Sequence, residues 1–599
     1  MAGLRTVVLI KQVPAAEQDS GLDERGRLRR DGGAAEMNPW CRRAVTRAVE
    51  LAAGGGHSTA VTMGPASARD VLREALACGA DAAVHVTDRR LAGADCLVTA
   101  QALAAAIRQA GGADVVLVGR SSVDGSTGAI GPMVAELLSV PFTGPALDLE
   151  FRPDGDGRWL HARLQLESGQ EEMAVALPAV VAVAERSCRA ARAPVEDWPT
   201  PGNVRTVTAG QLGCEVNGAD SPTRVTGTVG VSRTRRGVVL RGDLGTQVSA
   251  LVDVLRQRNP EPPRQSRATA GLSWSDGPRI VVLAEDGHDH GARALCAEAD
   301  RLAGEIGGHV AVVLGAGPVP RGVAGPGVVL GGTEPRRVAA AVEHWLGAAG
   351  TPPWAVLGGA GEWEREVLGR LGVRFGTGLL SDLTGLSVRA SGGGALRLLG
   401  LKPAGNGVLA QVECVGTPQL ATVRTGQLPA PAGFAPDDAG EVLAVSADAR
   451  VRRLGRTVED DADAVERAEV VIGVGAGVDP ADYRVLEGLR SLMGAQFAAT
   501  RKVTDAGRLP HGRQVGVTAR GIAPRCYLAL GVSGSGYHMA GVARAGTVIA
   551  VNHDPSAPIF AQADLGIVAD WRTIAPLLAV EFAQRAGTGE DRAAPALPA

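Results

Sequence analysis

Cys526-Tyr-Leu-Ala-Leu-Gly-Val532-Ser533-Gly534-Ser535-Gly536-Tyr537-His538 is the stretch from which the fold can be read. Residues 527–532 are apolar without interruption, as expected of a strand buried on both faces of a parallel sheet. The glycines and hydroxyls that follow read as its end loop. A second apolar strand, residues 547–551, closes on Asn552. In open parallel α/β sheets the loops at the carboxyl ends of the strands form the ligand crevice, so these loops are expected to converge on one bound molecule. Residues 539–543 are compatible with a helix, which would present the backbone N–H groups of residues 533–536 to a phosphate. The site is of dinucleotide size.

Moving outward, the surroundings add Thr500-Arg501, Gln514-Val515-Gly516-Val517-Thr518, Ala540-Gly541, residues 551–560 and Asp570. Together these pieces resemble the FAD-binding half of the electron transfer flavoprotein α subunit. The resemblance implies a C-terminal doubly wound FAD-binding domain over residues 441–599. It implies that Arg501 lies over the flavin ring, that Thr518 hydrogen-bonds its reactive nitrogen, and that His538 faces the pyrimidine oxygen where negative charge collects. Gln514, Val515, Gly516, Ser533, Gly534, Asn552 and Asp570 would hold the remainder of FAD. Tyr537 stands where family members often carry glutamine, and Asp570 also suits a helix cap.

A fixed positive charge near the flavin would stabilise its reduced, negatively charged form by Coulomb attraction. No general base or nucleophile is then required, and no catalytic residue is expected apart from this tuning by Arg501, Thr518 and His538.

The whole chain has 599 residues, too many for one hydrophobic core. Its 61 basic and 64 acidic residues leave a net charge of −3 without long runs of either sign, which argues against nucleic acid or an anionic membrane as partner. Arg5 leads straight into a short apolar strand, and no apolar run reaches the ~18 residues of a membrane span, so a cytoplasmic chain is expected. The eight cysteines form no C-x-x-C pair and no metal-ligand spacing. Buried reduced thiols and no metal site are expected.

The N-terminal segment alternates strand and helix signals: strands at residues 6–10, 57–63, 82–86 and 114–118, with helical stretches at 41–53, 68–77 and 96–110. This is the pattern of βαβ units and a parallel sheet. Its strand ends carry Lys11, Met63 and the loop of residues 119–132, in which Asp124, Ser126, Thr127 and Gly128 combine a carboxylate, hydroxyls and glycine ahead of a helix. Such a loop suits a phosphorylated ligand. These pieces, with Met37-Asn-Pro39 and residues 72–81, resemble the electron transfer flavoprotein β subunit, giving a β-like domain over residues 1–255. The form of the loop resembles the type that holds a structural AMP, with Met63, Asp124, Ser126, Thr127 and Gly128 as its contacts; electron-bifurcating members hold a second FAD there. Past Val183 the similarity weakens. The family's leucine-containing docking loop is replaced by residues 184–198, where Arg186, Arg189 and Arg192 are either a docking patch or a solvated face.

Residues 256–278 are rich in proline, arginine and serine and read as a linker. A second βα series follows over residues 279–440, with Ser381-Asp382, residues 401–407 including Asn406, and residues 422–426. It resembles the N-terminal domain of the α subunit, so the chain reads as a natural fusion of β and α subunits, one polypeptide replacing a heterodimer. The expected architecture is α/β, with two related parallel-sheet nucleotide-binding-like domains and the FAD-binding domain. The turn Gly473-Val-Gly-Ala-Gly477 is not a dinucleotide fingerprint, because Val478 stands where the third glycine belongs. It resembles a family turn in which an arginine occupies position 476; here that residue is alanine.

By this resemblance the chain is an electron carrier with FAD and AMP, taking single electrons from a flavoprotein dehydrogenase for an acceptor the sequence does not name. It would have no small-molecule substrate of its own. Two alternatives are a bifurcating protein with two FADs and NADH oxidation, and a redox-silent nucleotide-binding module.

Overall fold

The computed structural model describes residues 3–15, 34–154, 157–167, 169–230, 235–256, 277–285, 287–314, 327–348, 350–391, 393–404, 408–429, 441–458, 463–517 and 519–587. Thr518, Asn406 and residues 257–276 of the expected linker lie outside them. The chain forms two compact units, the first drawn from Met1–Val229, Arg267–Arg424 and Ala432–Asp460, the second from Gly230–Ser266, Thr425–Pro431 and Asp461–Ala599.

The first unit contains the β-like half and the N-terminal part of the α-like half, up to Asp460. In its ten-stranded sheet the spatial order begins Arg205–Val207, Ala82–Val86, His57–Met63, Arg5–Leu9, Val115–Gly119, Ala179–Val183, Phe142–Asp154, and these neighbours are parallel. Antiparallel strands Gly157–Leu166, Gly169–Ala176 and Val451–Val458 extend the far edge. A seven-stranded parallel sheet belongs to the second half, with Leu379–Leu383, Gln419–Val423, Ala355–Gly359, Arg279–Ala284 and His309–Leu314 in adjacent places. A four-stranded sheet places Thr223–Gly230 beside Val408–Cys414. The halves therefore exchange strands: Val451–Val458 of the α-like half completes a β-like sheet, and Thr223–Gly230 of the β-like half edges an α-like one.

Helix formation follows local chemistry. The Asp95 side chain accepts from Val98 N–H at 3.1 Å and caps the helix Cys96–Gln109. Proline opens the helix Pro39–Ala52, where its missing N–H costs nothing. The helices Ile130–Leu138 and Glu362–Phe375 pack across the two halves, sharing a core that includes Met133, Val134, Leu368 and Leu371. Beneath them Arg370 is fully buried between Glu136 at 2.9 Å and Glu366 at 2.8 Å. A buried charge of this kind is tolerable only while its partners remain, and losing one partner costs about 3–5 kcal/mol.

The second unit is a parallel sheet in the order Val238–Val239, Leu565–Val568, Thr547–Asn552, Cys526–Leu530, Val470–Val474, Gln496–Ala499. Apart from the short first strand, the sequence order reads outward in both directions from between Val470–Val474 and Cys526–Leu530. That is the doubly wound arrangement, and its switch point lies between those two strands. The helix Leu244–Arg256 contributes Val248, Leu251, Val252, Val254 and Leu255 to the core of this unit, and Arg585 pairs with Asp253. Residues 235–256 thus lie with the FAD-type sheet, whereas the sequence predicts a β-like domain that runs to residue 255. The reason is amphipathic burial: the apolar face of this helix packs in one core with Trp571, Ile574 and Leu578 of the C-terminal helix Trp571–Gly587.

All eight cysteines are free, and Cys41, Cys296, Cys414 and Cys526 are buried. Among the described residues no helix is long and apolar enough to cross a membrane, and no cluster of three or more His, Cys, Asp or Glu is placed to hold a metal.

Candidate functional site

At the switch point of the second unit, the strand Val470–Val474 runs into Gly475-Ala476-Gly477 and the strand Cys526–Leu530 into residues 531–535. The two turns touch. Gly475 N–H donates to Leu530 O at 2.9 Å, and a Cβ on Gly475 would lie 1.9 Å from Gly531 O. Gly534, at φ 89°, passes so close to Ile559 that a Cβ would lie 2.3 Å from its nitrogen. Only glycine fits at either place.

The loop beyond is open. Ser533, Ser535, Gly536 and Tyr537 are exposed, Tyr537 at 47%. The side-chain hydroxyls of Ser533 and Ser535 make no hydrogen bond among the described residues, leaving them available to a ligand. The helix that follows differs from the expected one. It is a single turn, Gly536–Met539, continued by a 3-10 turn Ala540–Val542. So short an element sums few peptide dipoles, so hydroxyls and loop N–H groups, rather than a helix dipole, are what this loop offers.

Gln514, Val515 and Gly516 stand against the same end of the sheet. Val515 N–H donates to Ala499 O at 3.1 Å, and the buried Gln514 side chain accepts from Thr504 Oγ1 at 2.6 Å. Gly516 and Gly541 lie back to back, since a Cβ on Gly541 would sit 2.4 Å from Gly516 N. Thr500 N–H donates to Val474 O at 3.1 Å, and Arg501, next in sequence, holds Asp505 at 3.2 Å while remaining 37% exposed at its side chain.

Three expected contacts are placed differently from a simple ligand list. His538 is 6% exposed and engaged at both ring nitrogens, Nε2 with the Tyr527 hydroxyl at 2.7 Å and Nδ1 with Val515 O at 2.9 Å. A carbonyl can only accept, so Nδ1 carries the proton and Nε2 accepts from tyrosine. Burial pushes the imidazole down to about 4, against a partial rise from the Val515 bond. The ring is neutral and ties strand to loop, with no N–H left over for the pyrimidine oxygen the sequence reading assigned to it. Asn552 is also committed, donating to Val532 O at 3.0 Å and accepting from Asp554 N–H at 3.0 Å. Asp570 accepts from Arg572 N–H at 2.9 Å, the geometry of a cap on the helix Trp571–Gly587. Tyr527 was not singled out from sequence. A lone aromatic in an aliphatic strand, with glycine at position 473 where a Cβ would lie 1.8 Å from its hydroxyl, is the signal that marks it.

In the first unit the second candidate loop is closed. Asp124 pairs with Lys11 at 2.7 Å, and Lys11 Nζ also donates to Ser122 Oγ at 3.2 Å. Ser126 holds φ 45° and folds its N–H onto Ser122 O at 2.8 Å. The Thr127 hydroxyl lies against the Cys96 thiol, whose burial raises its pKa. Gly128, at φ 61°, meets Arg365 of the α-like half, whose Cδ would lie 2.5 Å from an added Cβ. Met63 ends the strand His57–Met63 at the same edge. Nearby Asp382, itself at φ 63°, holds Arg424 through two bonds of 2.8 and 2.7 Å. Lys402 donates to Ser381 O at 2.8 Å, and burial pushes its ammonium down to about 8. Residues 184–198 lie along the helix Pro39–Ala52: Arg189 O accepts from Thr46 and Ala191 O from Arg42, while the Arg186, Arg189 and Arg192 side chains face solvent.

Parallel sheets with glycine-lined, hydroxyl-bearing loops at their carboxyl ends define a nucleotide-binding α/β protein. The electron transfer flavoprotein domain matches residues 26–211 and 280–450, and the electron transfer flavoprotein FAD-binding domain matches residues 464–543, so the chain belongs to the electron transfer flavoprotein family. It is 32% identical over 324 residues to the electron transfer flavoprotein subunit alpha of Mycobacterium tuberculosis, spanning 51% of this chain and 99% of that one. It is 33% identical over 264 residues to the subunit beta of Thermoanaerobacterium thermosaccharolyticum, spanning 43% of this chain and 99% of that one. A 34% identity over 248 residues relates it to the subunit alpha of Mycobacterium leprae, over 40% of this chain and 74% of that one. Both subunit types are thus represented in one polypeptide.

Proposed function

We propose that this chain is a single-polypeptide electron carrier that accepts electrons one at a time from a partner flavoprotein dehydrogenase and delivers them to a second acceptor. The observation that carries this reading is the switch point: the region matched to the FAD-binding domain places its two glycine turns there, beside an open hydroxyl-bearing loop. FAD, when bound, supplies one-electron chemistry. The protein's contribution is positional. Ser533 and the N–H groups of residues 533–536 face the phosphates, Arg501 sets a positive charge beside the sheet end, and Gln514 to Gly516 form one wall. Asn552 fastens the second strand's end to Val532, and neutral His538 fixes the carbonyl of Val515. Thr518 completes the set by sequence. We place a structural AMP at Met63, Asp124, Ser126, Thr127 and Gly128. Lys11 uses two of its three donors on Asp124 and Ser122, which leaves one for a phosphate.

Releasing and counting cofactors from the purified chain tests both assignments. One FAD and one AMP per chain is the expected result. Two FADs would replace the carrier with a bifurcating protein, and a colourless chain that takes up no FAD would refute the electron-transfer reading.

A further inference from the structure

The turn at the switch point carries no charged side chain of its own, because residue 476 is alanine. A cation nevertheless covers it. Arg508, just past the helix Arg501–Asp505, reaches across and donates through Nη1 to the carbonyls of Ala476 and Val478, both at 3.4 Å. The same turn is fastened from its other side by Trp571, whose Nε1 donates to Gly477 O at 3.3 Å.

The neighbouring guanidinium groups each have a carboxylate partner. Arg501 holds Asp505 at 3.2 Å, and Arg572 holds Asp482 at 2.7 Å. Arg508 is exposed, and no carboxylate among the described residues pairs with it. Two carbonyls take up one of its nitrogens, and a guanidinium has five N–H donors. The remaining donors, and an uncompensated charge, stand at the mouth of the crevice where a parallel doubly wound sheet binds its ligand. Its charge is also felt at the Tyr483 hydroxyl, a buried oxygen with no hydrogen-bond partner among the described residues.

We infer that Arg508 is a ligand-binding residue which supplies, from the loop after residue 505, the positive charge that the Ala476 turn lacks, and that it binds the diphosphate of the dinucleotide. The inference rests on the FAD reading above. A guanidinium suits this task because its fork matches paired phosphate oxygens. It also explains how a turn without a charged side chain can serve an anionic ligand.

The test uses the full chain stripped of flavin, with FAD binding followed by quenching of flavin fluorescence and ADP binding followed by competition. Arg508→Ala should raise the Kd for both ligands by about tenfold to a hundredfold, the range for a lost hydrogen bond to a charged group. Ala476→Arg placed in the Arg508→Ala background should recover most of that loss, because it returns the charge from the turn itself. Three outcomes overturn the inference: FAD binding by Arg508→Ala within about twofold of wild type, a loss seen with FAD and not with ADP, or a loss that Ala476→Arg does not recover. The last would assign Arg508 to support of the turn alone. Wild-type chain that binds no FAD overturns the FAD reading together with this inference, and is distinguished from the other outcomes because it appears before any substitution is made.

Discussion

The two candidate nucleotide loops look alike as sequence, each a mixture of glycine and hydroxyl residues between a buried strand and a helix, yet they meet opposite fates in the fold. The loop of residues 124–128 is spent on the protein: its carboxylate pairs with Lys11, its threonine with Cys96, and its last glycine accommodates Arg365 from the other half. The loop of residues 533–537 keeps its hydroxyls and its aromatic ring outward. On the reading proposed above, the committed loop would hold its nucleotide as part of the scaffold, and the uncommitted one would hold a cofactor within reach of a partner.

That contrast can be broken at its strongest point by Gly475→Val. The side chain would collide with Gly531 O, so the switch-point turns must part; we expect loss of bound FAD and destabilisation of about 3 kcal/mol or more, read by flavin content and denaturant unfolding. Retention of full flavin content would remove the switch point from the site.

Acid should act next. The folded pKa of His538 lies at about 4, below the 6.5 of an unhindered imidazole, so the unfolded chain binds the extra proton first. The contribution is therefore complete above about pH 6.5 and is lost as pH falls toward 4, by on the order of 3 kcal/mol. Guanidinium unfolding at pH 7 and pH 4.5 should show this slope in the wild type and much less of it in His538→Gln; equal slopes would refute the buried neutral ring.

Tyr527→Phe removes the donor to His538 Nε2 and leaves a buried nitrogen unpaired, at a cost of about 1–3 kcal/mol with the fold intact. The mildest pair sharpens the comparison itself. Ser533→Ala should weaken FAD binding by about 1 kcal/mol without changing stability, since its exposed hydroxyl makes no hydrogen bond among the described residues. Asp124→Asn should do the reverse, leaving FAD binding unchanged while lowering stability by about 1 kcal/mol through the partly exposed Lys11 pair.

Much of this architecture was legible because strands buried on both faces announce themselves as unbroken apolar runs. Residues 527–532 and 547–551 lie within a residue or two of the strands Cys526–Leu530 and Thr547–Asn552, and the two βα series follow from alternating strand and helix signals, while their β-like and α-like assignment came from the resemblance. What the sequence concealed was commitment. Nothing in the pattern around His538 or Asn552 discloses that their polar atoms are used within the protein, because the partners, Tyr527, Val515 and Val532, are remote in sequence or are backbone atoms. The helix Leu244–Arg256 and its place in the later sheet's core come from the structure alone, since a periodic apolar face does not name what it will cover. Arg508 was hidden for the same reason: one arginine among many in sequence, distinguished only by the carbonyls beneath it.

The strand exchange inside the first unit has a bearing on how the molecule is made. Val451 pairs with Val175, so the outer edge of the β-like sheet stays unpaired until almost the whole α-like half has left the ribosome. Closing contacts of such long sequence separation is slow, and an uncovered strand edge is a template for association with other chains. Joining the two halves on one polypeptide shortens that exposed interval, because the completing strand is delivered with its sheet already within reach.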